Sequence, residues 1–468
     1  MPPRLSAVSR STSLAVTALF VAAALGMAAA LPAEGLRPAA DFWWIALTSL
    51  AVVGWVVVRA GLWTAVGVYA AVFWCFHFGL VAALGSGIVE PLELSLWDQL
   101  WVLGPFGGDA AYIALIGVLA CAGGAGLVQC WQPALPPVGP AGDRAPHPHG
   151  IAGSVLVLGA IAAWGAVVVA TGGVGGFFSS YGDYLQRTEE FGALLSIVWL
   201  ALGFGLVLAV TGGAGRVRDA AIAGFGVFAL IALPIGLRGE VMFPSIAALV
   251  ALARSGWALS AGRTCAFAMA LLLIIPAVKE VRHTGLRGLP DLVLELRVFD
   301  AFVEMGGSLH PVEKVVRWHA EGEPLEMGSS YWAPLERAAA RILPGVDAGA
   351  AENDLRIMNV LVTDRVGAIG FSPVAEAYRN FGAVGVVLVM ALLGAAFARI
   401  DRIQDGSLAV LVIATVYLSL LTNVRNSFIS VPAQCGVGLL LIVGLGLMRH
   451  AAASVFCRSH ASTSYVGG

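Results

Sequence analysis

Twelve mainly apolar runs recur along this chain, at 13–31, 42–59, 61–84, 110–131, 151–172, 191–211, 219–236, 241–258, 264–279, 381–398, 407–422 and 434–448. A helix needs about 20 such residues to cross a bilayer core roughly 30 Å thick. Inside that core each backbone N–H and C=O must find its partner within the protein. The pattern therefore predicts an all-α polytopic membrane protein of about 12 transmembrane helices. Composition agrees: 59% of the 468 residues are hydrophobic and only 12% are charged, against about 25% charged in soluble domains. The lipid bilayer is its first partner, and no nucleic acid is expected.

The N-terminal run follows Arg4 and Arg10 and ends in small residues, as a signal peptide does. At 13–31 it has the length of a spanning helix, so we read it as an uncleaved first span. The six cysteines have no CxxC spacing, and five sit in or beside apolar runs, which makes them small core residues rather than disulfide or metal ligands.

Basic residues are concentrated where the positive-inside rule requires them. With the N-terminus in the cytoplasm, the cytoplasmic side receives Arg4, Arg10, Arg59, Arg144, Arg216, Arg218, Arg254, Arg263, Arg399, Arg402, Arg449 and Arg458. The short outer loops hold only Arg37, Arg187, Arg238 and Arg425, outnumbered there by acids. Both termini are then cytoplasmic, and arginine far in excess of lysine, with abundant Ala, Gly and Val, suggests a bacterial source and so its plasma (inner) membrane. A proline-rich cytoplasmic linker, 132–150, separates an N-terminal four-helix part (1–131) from central membrane helices (151–279). An extracytoplasmic loop, 280–380, precedes C-terminal membrane helices (381–450) and a cytoplasmic tail (451–468). Within that loop "DLVLELRVFDAFVEM" (291–305) and "APLERAAARIL" (333–343) have helical spacing, which predicts a helical cap on the outer face.

Arginines that survive on the depleted outer side are the candidate ligands. Arg238 lies in "GLRGEVMFP" (236–244), Arg187 in the loop 172–192, Arg425 in "TNVRNSF" (422–428), and Arg379 in "GFSPVAEAYRNFGAV" (370–384). Charges near the membrane are costly and tend to face a cavity or a partner. Arg238 can equally be neutralised by Glu240 or snorkel to headgroups. A guanidinium suits phosphate because its planar fork binds in bidentate fashion and stays charged. Several of them at one rim suggest a diphosphate site, where protein cations would stabilise a leaving group in place of a metal. The sequence has no HExxH and no DxD in an outer loop, so no metal and no cofactor are expected.

The candidate bases are Glu376, Glu240, His310 and His319. With Glu376 at i, Arg379 and Asn380 fall at i+3 and i+4 on one helix face. That group serves either as a catalytic carboxylate with its neighbours or as an interfacial ion pair anchoring the helix.

Three of these segments resemble bacterial oligosaccharide repeat-unit polymerases of the O-antigen polymerase (Wzy) type. In "GFSPVAEAYRNFGAVGVVLVMALLG" (370–394) an E-x-Y-x-N-F-G stretch opens a late membrane helix; "GLRGEVMFP" is similar to that family's RG-E hairpin, and "FFSSYGDYLQR" to its loop of aromatics and Arg. "RHTGLRG" (282–288) matches the family's R-x-G-x-R loop only loosely, which leaves Arg282 and Arg287 as weaker candidates. The resemblance implies a GT-C-like, metal-independent glycosyltransferase that moves a growing glycan from undecaprenyl diphosphate onto a new lipid-linked repeat unit, with a chain-length regulator as a further partner. It implies diphosphate binding by Arg238, Arg187 and Arg425, and sugar positioning by Tyr378, Asn380 and Tyr184. Arg379 assists them or holds Glu376, and Glu376 is the first choice of general base, with Glu240 second. Two alternatives stand beside this: an O-antigen ligase-like transferase using His310 or His319, and a flippase or other transporter without catalysis, for which the two similar halves common in transporters are missing.

Overall fold

A computed structural model describes residues 10–31, 41–131, 149–257 (without 179, 213 and 214), scattered positions in 260–276, then 298–342, 349–367 and 369–463. Among these residues no strand occurs, and ten helices are long and apolar enough to cross a membrane. The protein is thus a multi-pass, all-α membrane protein. Of the twelve predicted spans, 264–279 lies largely outside the described residues. The predicted 241–258 is a helix of 17 residues, Arg238–Arg254, about 25 Å long and so short for a full crossing.

The membrane helices fall into two packed groups. α1 (Arg10–Ala30), α2 (Phe42–Ala60), α3 (Ala65–Gly85) and the short α4 (Leu96–Val102) lead into α5 (Gly107–Trp131), which is buried almost all round. α6 (Gly150–Gly172), α7 (Tyr181–Thr188), α8 (Gly192–Thr211), α9 (Arg216–Ile235) and α10 (Arg238–Arg254) form the second group. Among the described residues, the segment 298–365 carries four α-helices: α11 (Val298–Gly306), α12 (His310–Ala320), α13 (Ser329–Ile342) and α14 (Met358–Arg365). The spacing of 333–343 therefore did mark a helix. In 291–305 the described part is helical from Val298.

α15 (Pro373–Ile400) then packs along α5, and α1 lies beside both. α5 and α15 approach backbone to backbone: a Cβ on Gly124 would run into the Ala391 carbonyl, and one on Gly394 into the Cys121 carbonyl. Small residues at such a seam let membrane helices gain dispersion contacts that the hydrophobic effect does not supply inside lipid. So the linker 132–150 divides the sequence while the helices before it and after it share one core. α16 starts at Gly406–Val412 and continues through a π turn (Ile413–Tyr417) into Leu418–Thr422; α17 (Ser430–Thr463) is the last described helix. At the end remote from the cap, Asp401 accepts hydrogen bonds from the N–H groups of Ala65 (2.7 Å) and Val66 (3.1 Å), locking the exit of α15 to the start of α3.

α15 begins at Pro373, earlier than the predicted 381, and is broken at Gly382 (φ 65°, ψ −158°). Only glycine occupies that region without strain. The break frees carbonyls at the end of the first segment, and the cap takes them: Glu326 N–H donates to Arg379 O (3.0 Å) and Met327 N–H to Asn380 O (3.1 Å). Gly382→Ala is accordingly expected to cost about 1–3 kcal/mol, seen as a lower melting temperature of the purified protein; an unchanged melt would mean that the break is not required.

Candidate functional site

Two residues, Gly236 and Leu237, join α9 to α10, and α9 closes on paired hydrogen bonds from Gly236 and Leu237 N–H to Ala232 O (3.1 and 2.9 Å). This tight return places Arg238, Gly239 and Glu240 in the first turn of α10, all lining one cavity of about 350 Å³. A helix N-terminus carries unsatisfied N–H groups and partial positive charge, so it favours an anion there.

Other elements complete the cavity wall. α3 adds Phe76, α7 adds Tyr181 and Leu185, and α11 of the cap adds Glu304 and Met305. The turn after α16 adds Arg425 and Asn426, and Gly370 sits beside them. Phe371 N–H donates to Arg425 O (3.2 Å), which ties the start of the 370–384 segment to the arginine turn. Arg425 is close enough to Glu240 to act on it electrostatically. Arg238 is buried, and its Nη1 donates to Glu304 Oε1. The cavity thus brings together two guanidiniums and two carboxylates, from a membrane hairpin, the cap and a late turn.

The Glu376 group has a different place. Glu376 is fully buried, and both of its oxygens are engaged: Ser330 Oγ donates to Oε1 (2.8 Å) and Phe428 N–H to Oε2 (2.7 Å). Asn380 Nδ2 donates to the same Ser330 Oγ (2.7 Å) and to Glu376 O (2.8 Å), while Gly328 N–H donates to its Oδ1 (2.9 Å). Arg379 pairs with Glu323 (2.9 Å) and Glu326 (2.8 Å), and its guanidinium lies over Trp318 at 5.9 Å. Tyr378 is buried against the edge of His319. None of the four lines the cavity. They fasten the cap to the broken end of α15 and hold the turn that carries Arg425. The carboxylate partners of Arg379 come from the cap and not from Glu376.

Arg187 packs its guanidinium against Gly172 at the end of α6 and does not line the cavity, although Tyr181 and Leu185 on the same helix do. Tyr184 is buried behind that wall, where Trp164 Nε1 donates to its hydroxyl (3.3 Å). Neither cap histidine reaches the cavity. His310 stacks on Trp101 (4.8 Å), and burial, reinforced by Lys314 and Arg317, pushes its pKa down to about 3, so it is a neutral packing group. His319 is exposed and bonds the Glu323 carbonyl (3.1 Å) through Nδ1. Among the described residues, no three His, Cys, Asp or Glu side chains gather closely enough to share a metal ion.

The O-antigen polysaccharide polymerase Wzy family matches residues 168–449. The chain belongs to that family. The matched stretch contains Arg238, Glu240, Glu304 and Arg425, and leaves out Phe76. Protein CapE of Staphylococcus aureus is 27% identical over 265 residues, 54% of this chain and 56% of that protein. The chain thus matches less than two thirds of that relative's length. No solved structure matches the chain. Membership of the Wzy family bears out the resemblance carried by the three sequence segments, one of which forms the hairpin at the cavity.

Proposed function

We propose that the protein is a membrane-embedded glycosyltransferase that polymerises undecaprenyl-diphosphate-linked oligosaccharide repeat units on the outer face of the bacterial plasma membrane, without a metal. The observation that carries this reading is the meeting of Arg238, Arg425 and Glu240 in one cavity of about 350 Å³, beneath the cap. Such a volume suits a sugar diphosphate rather than a whole repeat unit, so the remaining sugars extend beyond the cavity. The arginine distribution supports an outward position for this end of the bundle.

The roles follow from the chemistry. Arg238 and Arg425 bind the diphosphate and stabilise the charge that develops as its bond to C1 of the donor sugar breaks. The acceptor hydroxyl of a second lipid-linked unit forms the new bond to C1 and gives its proton to a carboxylate. Glu240 lines the cavity and Glu376 does not, so Glu240 is the better placed base, and Glu376 is a fastening residue. Tyr181 and Asn426 are in reach of sugar hydroxyls at the wall. Purified protein supplied with synthetic lipid-diphosphate repeat units, with EDTA present, is expected to lengthen the glycan. Failure with the correct repeat unit would sink the polymerase reading, and growth that needs an added divalent ion would sink the metal-free mechanism.

A further inference from the structure

Glu304 was invisible as a site residue in the sequence, where it sits within an amphipathic stretch. In the fold it lies between cap and membrane hairpin. One oxygen accepts from Arg238 Nη1, and the other, Oε2, is buried with no hydrogen-bond partner. A carboxylate has room for about four donors and a guanidinium offers a fork of five N–H groups, so a single contact leaves this pair poorly matched. A phosphate oxygen pair would use the fork more fully.

Charge accounting points the same way. Arg238 and Arg425 are balanced in the cavity by Glu240 and Glu304. A diphosphate brought into that balance meets two carboxylates, and like charges placed together in a site oppose binding. The Arg238 fork is held by Glu304, so Glu304 is the one that has to yield it. Glu240 belongs to the first turn of α10 itself. Glu304 reaches in from α11, whose backbone is fixed on α3 by the tight Gly79–Phe302 and Gly306–Leu80 approaches. The helix stays and only the side chain has to swing.

We infer that Glu304 is a positioning residue that takes the diphosphate's place on Arg238, holding the guanidinium over the cavity until the substrate's anion displaces it. This rests on the diphosphate reading of the cavity. It makes the cap, through one carboxylate, a determinant of how strongly the site discriminates a diphosphate from weaker anions.

The probe is inorganic diphosphate, titrated against the full-length protein in detergent. Glu304→Gln is expected to tighten its binding about tenfold, equal to about 1.4 kcal/mol, and Arg238→Ala to remove it in either background. Tightening separates the role from a merely structural one, since damage to the site weakens binding. On the wild-type protein, carbodiimide labelling read by mass spectrometry is expected to modify Glu304 more when diphosphate is present; that measurement needs no variant to fold. Binding that requires Arg238 but is unchanged or weaker in E304Q, or labelling of Glu304 that does not rise, overturns the role of Glu304 and leaves the polymerase reading standing. Diphosphate binding to neither protein overturns both.

Discussion

Arg238→Lys is expected to reduce chain growth by roughly two to three orders of magnitude, the loss typical of removing one oriented donor from a site of developing negative charge. Lysine keeps the charge and loses the fork. The fork matters in this cavity because of where it stands. Arg238 is the first residue of α10, buried at the turn from α9, and it faces both the cap carboxylate and the space a diphosphate would fill. The defect should appear with the protein folded and in the membrane, because the hairpin is closed by backbone hydrogen bonds of Gly236 and Leu237. Chain growth by Arg238→Lys close to wild type would remove Arg238 from diphosphate binding.

Two isosteric changes, each replacing a buried or half-buried carboxylate by an amide, should behave oppositely. Glu240→Gln takes a proton acceptor out of the cavity and should lower chain growth by about 10²–10⁴, the usual contribution of a general base, at an unchanged melting temperature. Glu376→Gln should instead lower the melting temperature, since Ser330 Oγ loses its acceptor and an NH₂ group enters a site built for two incoming donors. Leaving such a group unsatisfied costs about 1–3 kcal/mol. Chain length per active molecule should change far less than in Glu240→Gln. The reverse pattern, a stable but inactive Glu376→Gln beside an active Glu240→Gln, would move the base to Glu376.

Ten of the twelve spans were legible because bilayer thickness imposes a length that hydropathy records residue by residue. The hairpin at Arg238 was legible because an arginine beside a glutamate stands out among short loops depleted of basic residues. The Glu376 group was half legible: Asn380 does return to the Glu376 carbonyl, as i+4 spacing implies. What those side chains meet beyond their own helix depends on Glu323, Glu326, Ser330 and Phe428, and spacing along one helix carries no information about partners 50 residues away. The break at Gly382 left no mark beyond a glycine in a glycine-rich run. Glu304 stayed hidden for a related reason. On an amphipathic helix an acid reads as the wet face, and here the wet face is the cavity.

The seam between α5 and α15 bears on how members of this family can be recombined. Residues 168–449 carry the family match, so a graft of that stretch onto a relative's first helices looks like a natural way to exchange substrate preference. It would bring a foreign residue to position 124, where a Cβ would run into the Ala391 carbonyl of α15, and would replace Phe76 at the cavity wall. Chimeras that keep α3 and α5 together with α15 are the ones expected to assemble, and exchange between family members is therefore a matter of the whole helix set.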